Sequence, residues 1–189
     1  MVICLPTNKL KLLKQTTMKN SLKLFLAAAI LVASSTTSFA QSSATAAASA
    51  TVVTPITITR TTDMAFGNVA VSASLAGTVV LAPAGGRTTG GAGGVTLPST
   101  TGTVSAASFA VAGQASYTYA ITLPTTVSVS SGANSMNLTS FTSSPSATGT
   151  LSTSGTQTLN VGATLNVGAA QAAGSYTHAA GISVTVNYN

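Results

Sequence analysis

The stretch Thr158-Leu-Asn-Val-Gly-Ala-Thr-Leu-Asn-Val-Gly-Ala169 decides the fold, because it repeats a six-residue unit in which apolar and polar side chains alternate. Six is an even number, so a single extended strand places its aliphatic residues on one face. Six-residue repeats also occur in parallel β-helices, but such stacks need roughly three or more copies, and this segment holds two. The repeat therefore predicts one long strand with one buried face.

The same period of two runs through the segment from Ala44 to Ile58. Pro55 cannot donate to a ladder, which predicts an edge strand or a strand that changes sheets at that point. We expect the first strand to begin near Thr51. Residues 44–52 are a candidate strand-pairing segment, which would add as a strand to a sheet of a neighbouring molecule. The small side chains that share its pairing face are Ala44, Ala46, Ala48, Ala50 and Val52. The alternative is a loose alanine-rich tail that leads into the protein's own first strand.

Further strand candidates follow at short intervals, separated by Gly, Pro, Ser and Asn clusters, and no segment after Ala40 has helical periodicity between credible caps. The candidates are Val79–Leu81, Val95–Leu97, Ser108–Val111, Tyr117–Leu123, Thr126–Val129, Met136–Phe141, Thr158–Val167 and Gly181–Tyr188. This pattern predicts an all-β fold, an immunoglobulin-like Greek-key β-sandwich of about seven to nine strands. The residues expected in its core are Phe66, Phe109, Ile121, Leu138, Leu165, Val167, Val184 and Val186.

Tyr176 is a candidate tyrosine corner. It follows Gly174 by two positions and precedes the terminal strand, as in Greek-key sandwiches where a tyrosine hydroxyl bonds to the backbone.

Residues 1–40 have the features of a cleaved signal peptide. Met18 to Lys23 forms a short basic region, an apolar run follows, and Ser38-Phe-Ala40 supplies the small residues that a signal peptidase reads. The apolar run is too short for a membrane span, which needs about 20 residues, so no transmembrane anchor is expected. We expect translation to start at Met18, cleavage between Ala40 and Gln41, a flexible or strand-donating segment at 41–50, and one domain at 51–189. The product is exported to the periplasm, the cell surface or the medium.

Charged side chains are almost absent after Ala40, where Arg60, Asp63 and Arg87 are the complete set. The net charge of +6 comes mainly from five lysines of the leader, so it does not indicate a nucleic-acid partner. Cleavage would also remove Cys4, the one cysteine, and with it any disulfide. The three charged residues could form one ion pair that holds a loop.

Catalytic and metal sites are not expected, because the residue types that build them are missing. His178 and Asp63 could join a serine in a triad, but no G-x-S-x-G elbow occurs. One His and one carboxylate cannot complete a zinc or calcium shell. The glycine-rich stretch Gly85–Gly94 lacks the Lys-Ser/Thr of a phosphate-binding loop and is interpreted as a hairpin loop. We predict no enzyme activity, no cofactor and no small-molecule substrate.

Several motifs in order resemble domain of unknown function family 4402, a family of exported bacterial domains without an established activity. They are Ala50–Ile58, Thr62–Asn68, Gly86–Thr89, Ala107–Phe109, Tyr119–Pro124, Ser131–Asn134, Leu165–Gly168, Ala173–Thr177 and Val184–Tyr188. The closing Gly-x-Tyr and Val-Thr-Val pattern is also similar to archaic chaperone-usher pilins and spore-coat-U-like domains. That resemblance implies an immunoglobulin-like fold and assembly by donation of an N-terminal strand. Those relatives usually carry cysteines, which this chain lacks after Ala40.

Two function classes fit these observations. The first is a non-catalytic exported structural or surface protein, such as a fimbria-like or filament subunit that assembles through strand pairing with itself or another surface subunit. The alternative is a monomeric cell-surface binding module for carbohydrate or another surface ligand, with Tyr117, Tyr119, Tyr176 and Tyr188 as candidate aromatic contacts.

Overall fold

The computed structural model describes residues 41–189, and these residues contain β-strands but no helix. The chain divides after Ala50. Residues 41–50 are exposed and have no regular secondary structure. The unit Thr51–Asn189 contains all the strands found between residues 41 and 189. The strands are β1 (Thr57–Thr62), β2 (Ala65–Phe66), β3 (Ala70–Val71), β4 (Gly77–Leu81), β5 (Arg87–Gly90), β6 (Val95–Thr96), β7 (Val104–Ser105), β8 (Ala107–Ala112), β9 (Thr118–Thr122), β10 (Thr126–Ser131), β11 (Asn134–Ser144), β12 (Thr148–Thr150), β13 (Thr156–Val167) and β14 (Thr185–Tyr188).

Four antiparallel sheets form from these strands. The largest has the order β1-β8-β13-β11-β10, with β4 and β5 added beside β13, and a three-stranded sheet has the order β12-β9-β14. Two short ribbons, β2-β7 and β3-β6, complete the set. The fold is therefore all-β, as the sequence predicts. The expectation of seven to nine strands is wrong for the described chain, which has fourteen strands, several of them two-residue ribbons.

Strand β13 lies at the centre of the large sheet and confirms the prediction of one long strand. Its residues Thr156–Val161 pair with β8, its residues Ala163–Val167 pair with β4, and β11 pairs along the opposite edge. Leu159, Val161, Ala163, Leu165 and Val167 are all buried on one face. The apolar residues of the period-two pattern thus form part of the inner face of the sheet.

Gly162 lies where β8 ends and β4 begins along the same edge of β13. A Cβ atom at this position would lie 2.1 Å from the carbonyl oxygen of Leu81. Because that oxygen belongs to the backbone, the end of β4 could not approach β13 so closely if residue 162 had a side chain.

The core consists of two clusters on the inner face of the large sheet. The first lies between β8 and β13 of the large sheet and the three-stranded sheet, and includes Val111, Leu159, Tyr119 and Val186. The second is formed by Val79, Val95, Val127, Leu138, Ala163, Leu165 and Val167. Of the predicted core residues, five are buried: Phe109, Leu138, Leu165, Val167 and Val186. Phe66, Ile121 and Val184 are only partly buried and pack against the clusters.

The expected strand start near Thr51 is wrong, since β1 begins at Thr57. Side chains, rather than a neighbouring strand, bind the backbone of Thr54. Its N–H donates to Gln114 Oε1 at 3.2 Å, and its carbonyl accepts from the Tyr188 hydroxyl at 2.7 Å. Pro55 then has no N–H to donate, so no ladder forms before Thr57.

The start of the last strand and the structure of the glycine-rich stretch also differ from the expectation. The last strand begins at Thr185 rather than Gly181. The glycine-rich stretch is not a loop throughout, because Arg87–Gly90 forms β5 and pairs with β4.

Candidate functional site

A cavity of about 960 Å³ lies on the inner face of the large sheet. Its floor is apolar and is formed by side chains of β8, β10, β11 and β13. These are Phe109, Val129, Met136, Leu138, Leu165 and Val167. The opposite wall is the segment 171–182, which we call the strap.

The strap is bound to the margin of the sheet formed by β10 and β11. Ser130 and Thr177 exchange two backbone hydrogen bonds of 2.9 and 3.0 Å. His178 Nδ1 lies 2.8 Å from the carbonyl oxygen of Ser128, and Gln171 Nε2 donates to the carbonyl oxygen of Ser135 at 3.3 Å. The strap therefore covers the cavity from one side, and its attachment is mainly to β10.

Tyr176, the candidate tyrosine corner, lies within the strap. Its hydroxyl donates to the carbonyl oxygen of Ala172 at 2.7 Å and accepts from Gln171 Nε2 at 2.8 Å. Both partners belong to the strap itself. The bond joins a tyrosine to backbone four residues upstream, and the corner role in stability stays a prediction.

The segment from Arg60 to Val69 contributes the third wall of the cavity. Arg60 and Asp63 form an ion pair of 2.7 Å, with side chains 63% and 74% exposed. An exposed pair of this kind contributes about 0–1 kcal/mol to stability. In the described residues it is the one ion pair, and its two charges cancel at the rim of the cavity.

Arg87, which the sequence did not single out for this role, holds the same wall from β5. Its guanidinium donates to the carbonyl oxygens of Phe66, Asn68 and Thr101, the last two at 2.8 and 3.3 Å. The sequence offers no signal for this role, because the three acceptors are backbone atoms from two segments of the chain, residues 66–68 and Thr101, that are distant from Arg87 in the sequence.

A second hydrogen-bonded group lies at the beginning of the unit Thr51–Asn189, and we call it the Thr54 clasp. The Tyr188 hydroxyl donates to the carbonyl oxygen of Thr54 and accepts from the N–H of Gln114 at 2.6 Å. Gln114 Oε1 accepts from the N–H of Thr54. The ring of Tyr188 meets that of Tyr117 edge-on, with ring centroids 5.7 Å apart. Sequence reasoning missed this contact between two distant parts of the chain.

The candidate strand-pairing residues are all exposed. Ala44, Ala46, Ala48 and Ala50 lie in the segment without secondary structure, and Val52 is 95% exposed. Gln41 is also exposed, whereas Ala40 and the rest of the expected signal peptide lie outside the described residues.

Tyr119 is fully buried in the first core cluster. Its hydroxyl donates to Gln157 Oε1 at 2.7 Å, and burial raises the pKa of the phenol above its ordinary value. A buried ring cannot form part of an aromatic platform on the surface. Tyr117, by contrast, is exposed.

Residues 41–189 hold no group of three or more His, Cys, Asp or Glu side chains that could bind a metal ion. In the same range, no helix has the length and apolar character needed to cross a membrane.

The fold and the site define an all-β domain built of antiparallel sheets, with an apolar cavity under a strap and few charges. The model of the family described as domain of unknown function (DUF4402) matches residues 56–188. The chain belongs to this family. No curated protein and no solved structure matches it.

Proposed function

We propose that this chain is a non-catalytic, exported structural subunit that assembles through strand pairing, as a fimbria-like or other surface filament does. In this proposal residues 1–40 are a signal peptide that is cleaved before Gln41, and the domain is an immunoglobulin-like Greek-key sandwich. The observation that carries the proposal is the alternating segment 44–52, which is exposed and forms no strand in the described part of the chain.

The segment has the pattern of a strand that lacks a sheet. Added to a sheet edge, it would gain main-chain hydrogen bonds, and its alternate side chains would enter the neighbour's surface. Alanine side chains bury little area, at about 25 cal/mol per Å². Most of the affinity would therefore come from the ladder, with Val52 as the largest apolar contact.

The domain also has open edges that could accept such a strand. Strand β14 pairs only with β9, and β1 pairs only with β8, so each has one edge without a ladder partner among the described residues. Proteins commonly protect exposed edges with charged residues, especially lysine. This chain has no lysine after Ala40, and β14 carries no charge. An edge without such protection supports pairing between molecules.

Sedimentation velocity and electron microscopy of the exported protein test the proposal. We expect filaments or a ladder of oligomers, and a folded monomer after deletion of residues 41–50. Ala46→Asp with Ala48→Asp should also abolish assembly, because both charges lie on the face that enters the neighbour. Thr45→Asp with Ala47→Asp is the matched control on the opposite face and should assemble. A protein that is monomeric with and without residues 41–50 contradicts the proposal.

A second candidate is a monomeric binding module for carbohydrate or another surface ligand. The exposed ring of Tyr117, supported edge-on by Tyr188, favours it. Retention of the monomer on an insoluble polysaccharide, lost in Tyr117→Ala, would support this function over assembly.

A further inference from the structure

We infer that the cavity under the strap is a binding site for a neutral small molecule with an apolar body and one hydrogen-bonding end group. This site goes beyond the proposed assembly function and does not depend on it. The inference follows from the size of the cavity, the chemistry of its walls and the way in which the strap is attached.

The size of the cavity exceeds what packing defects produce. Protein interiors are packed as densely as organic crystals and contain few voids larger than a water molecule. A volume of about 960 Å³ instead falls in the range of small-molecule sites, roughly 300–1,000 Å³. The cavity therefore has room for a ligand and not merely for solvent.

The walls favour an apolar body. The floor presents the side chains of Phe109, Leu138, Leu165 and Met136, and methionine adapts its shape to different partners. Among residues 41–189, no buried side-chain nitrogen or oxygen lacks a hydrogen-bond partner. The buried side chains of the floor thus hold no unsatisfied polar atom that a ligand would have to bind, and this part of the wall suits an apolar body.

The rim favours a neutral end group. Arg60 and Asp63 lie at the rim as one ion pair, so together they present no net charge that would favour an anionic or a cationic ligand. His178 is already engaged at Nδ1 by the carbonyl oxygen of Ser128. The remaining polar groups of the strap, at Ser175 and Thr177 among others, can bond to a hydroxyl or a carbonyl but cannot balance a charge.

The strap offers a route of entry. Its hydrogen bonds to the sheet lie on the β10 and β11 side, and none joins residues 171–182 to residues 60–69 in the described part of the chain. Small residues, such as Ala172 and Ala173, give the strap little packing of its own. A molecule could therefore pass between the strap and the Arg60–Val69 wall while the bonds to β10 remain.

A peptide strand is a poorer occupant than a small molecule. The floor is the face of a sheet whose backbone groups already bond within ladders. The β10 edge beside it is partly occupied by Thr177. A strand in the cavity would thus leave its own backbone groups without partners, at a cost of several kcal/mol in total, since each unsatisfied group costs about 1–3 kcal/mol.

The test uses the purified chain and the neutral fluorescent probe N-phenyl-1-naphthylamine. We expect saturable binding of one probe per chain. 1-Decanol should displace the probe at a concentration at least about tenfold lower than decanoate or decylammonium, because the rim has no net charge to offset the lost hydration of a charged end group. A tenfold ratio corresponds to about 1.4 kcal/mol. Absence of saturable binding, or equal displacement by the charged compounds, would overturn the inference.

Substitutions locate the site. Val129→Phe adds volume to the floor and should weaken probe binding more than tenfold, with circular dichroism reporting the fold. Val80→Phe is the matched control, because Val80 is 40% exposed and does not line the cavity, and it should bind the probe as the parent does. Met136→Phe is the second filling variant if Val129→Phe does not fold. Equal binding by the filled variants and the parent would overturn the location.

Discussion

At the scale of single residues, two side chains have roles that their neighbours in sequence do not reveal. Arg87 is one of three charged residues after Ala40, yet it pairs with no carboxylate in the described chain. It binds three carbonyl oxygens from two loops instead. Tyr119 is buried with its hydroxyl on Gln157. Both residues hold separate parts of the fold together through neutral acceptors.

Arg87→Met should lower the free energy of unfolding by about 1.5–3 kcal/mol, the range for hydrogen bonds to charged groups. The methionine keeps the apolar length and removes the donors. Arg60→Met is the control, and because its ion pair is exposed it should cost less than about 1 kcal/mol. Urea denaturation of the three proteins measures the difference. Equal losses for both variants would show that the carbonyl contacts of Arg87 add nothing beyond an exposed pair.

Tyr119 makes stability depend on alkaline pH. Its pKa is raised by burial, so the folded state retains the phenol proton at a pH where the unfolded chain has lost it. Its contribution is complete below the unfolded pKa of about 10 and is lost as the pH rises through the higher folded pKa. Tyr119→Phe should therefore show a shallower loss of stability above about pH 10 than the parent. Denaturation curves at stepped pH measure the slopes, and identical slopes would contradict the argument.

At the scale of elements, β13 shows what the sequence can predict and where prediction ends. Alternation from Leu159 to Val167 sets both the strand and its buried face, because the period of two is a local property of the backbone. The start of β1 was not predictable in this way. The same alternation continues through Val52, but Thr54 bonds to Gln114 and Tyr188, which are distant in the sequence.

The candidate site also has a part that the sequence predicts and a part that it does not. The floor residues Leu138, Leu165 and Val167 were predicted as core, and they are buried. The cavity above them was not predictable, because the strap has no period and reaches β10 partly through backbone bonds of Thr177 that any sequence could make. Its existence depends on tertiary contacts alone.

Gly162→Ala tests the close approach of strands around β13. The new Cβ would meet the Leu81 carbonyl oxygen, and relief requires movement of the end of β4 away from β13. We expect a loss of about 1–3 kcal/mol, the usual cost of overpacking. Gly86→Ala is the matched control, since its Cβ would meet nothing within 4 Å. Thermal unfolding of both variants decides the point, and a Gly162→Ala protein as stable as Gly86→Ala would refute the close approach.

At the scale of the whole molecule, the Thr54 clasp joins the beginning of the domain to its last strand. Tyr188 and Thr54 are 134 residues apart in sequence, so the bond closes a loop that includes nearly all of the domain. The clasp also fixes the point beyond which the N-terminal segment is not bound. Assembly by strand pairing would use the segment on the outer side of this point.

Tyr188→Phe should therefore weaken the attachment of the segment without unfolding the sheets. The change removes one donor to Thr54 and one acceptor from Gln114, and each group left without a partner costs about 1–3 kcal/mol if it stays buried. We expect a lower melting temperature and faster hydrogen exchange at the Thr54 N–H, measured by NMR or mass spectrometry. Tyr117→Phe is the control, because the Tyr117 hydroxyl makes no hydrogen bond to another described residue and its ring is exposed. If hydrogen exchange at Thr54 is equally slow in both variants, the Gln114 side chain alone holds this residue. The Tyr188 hydroxyl would then have no part in setting where the paired strand ends.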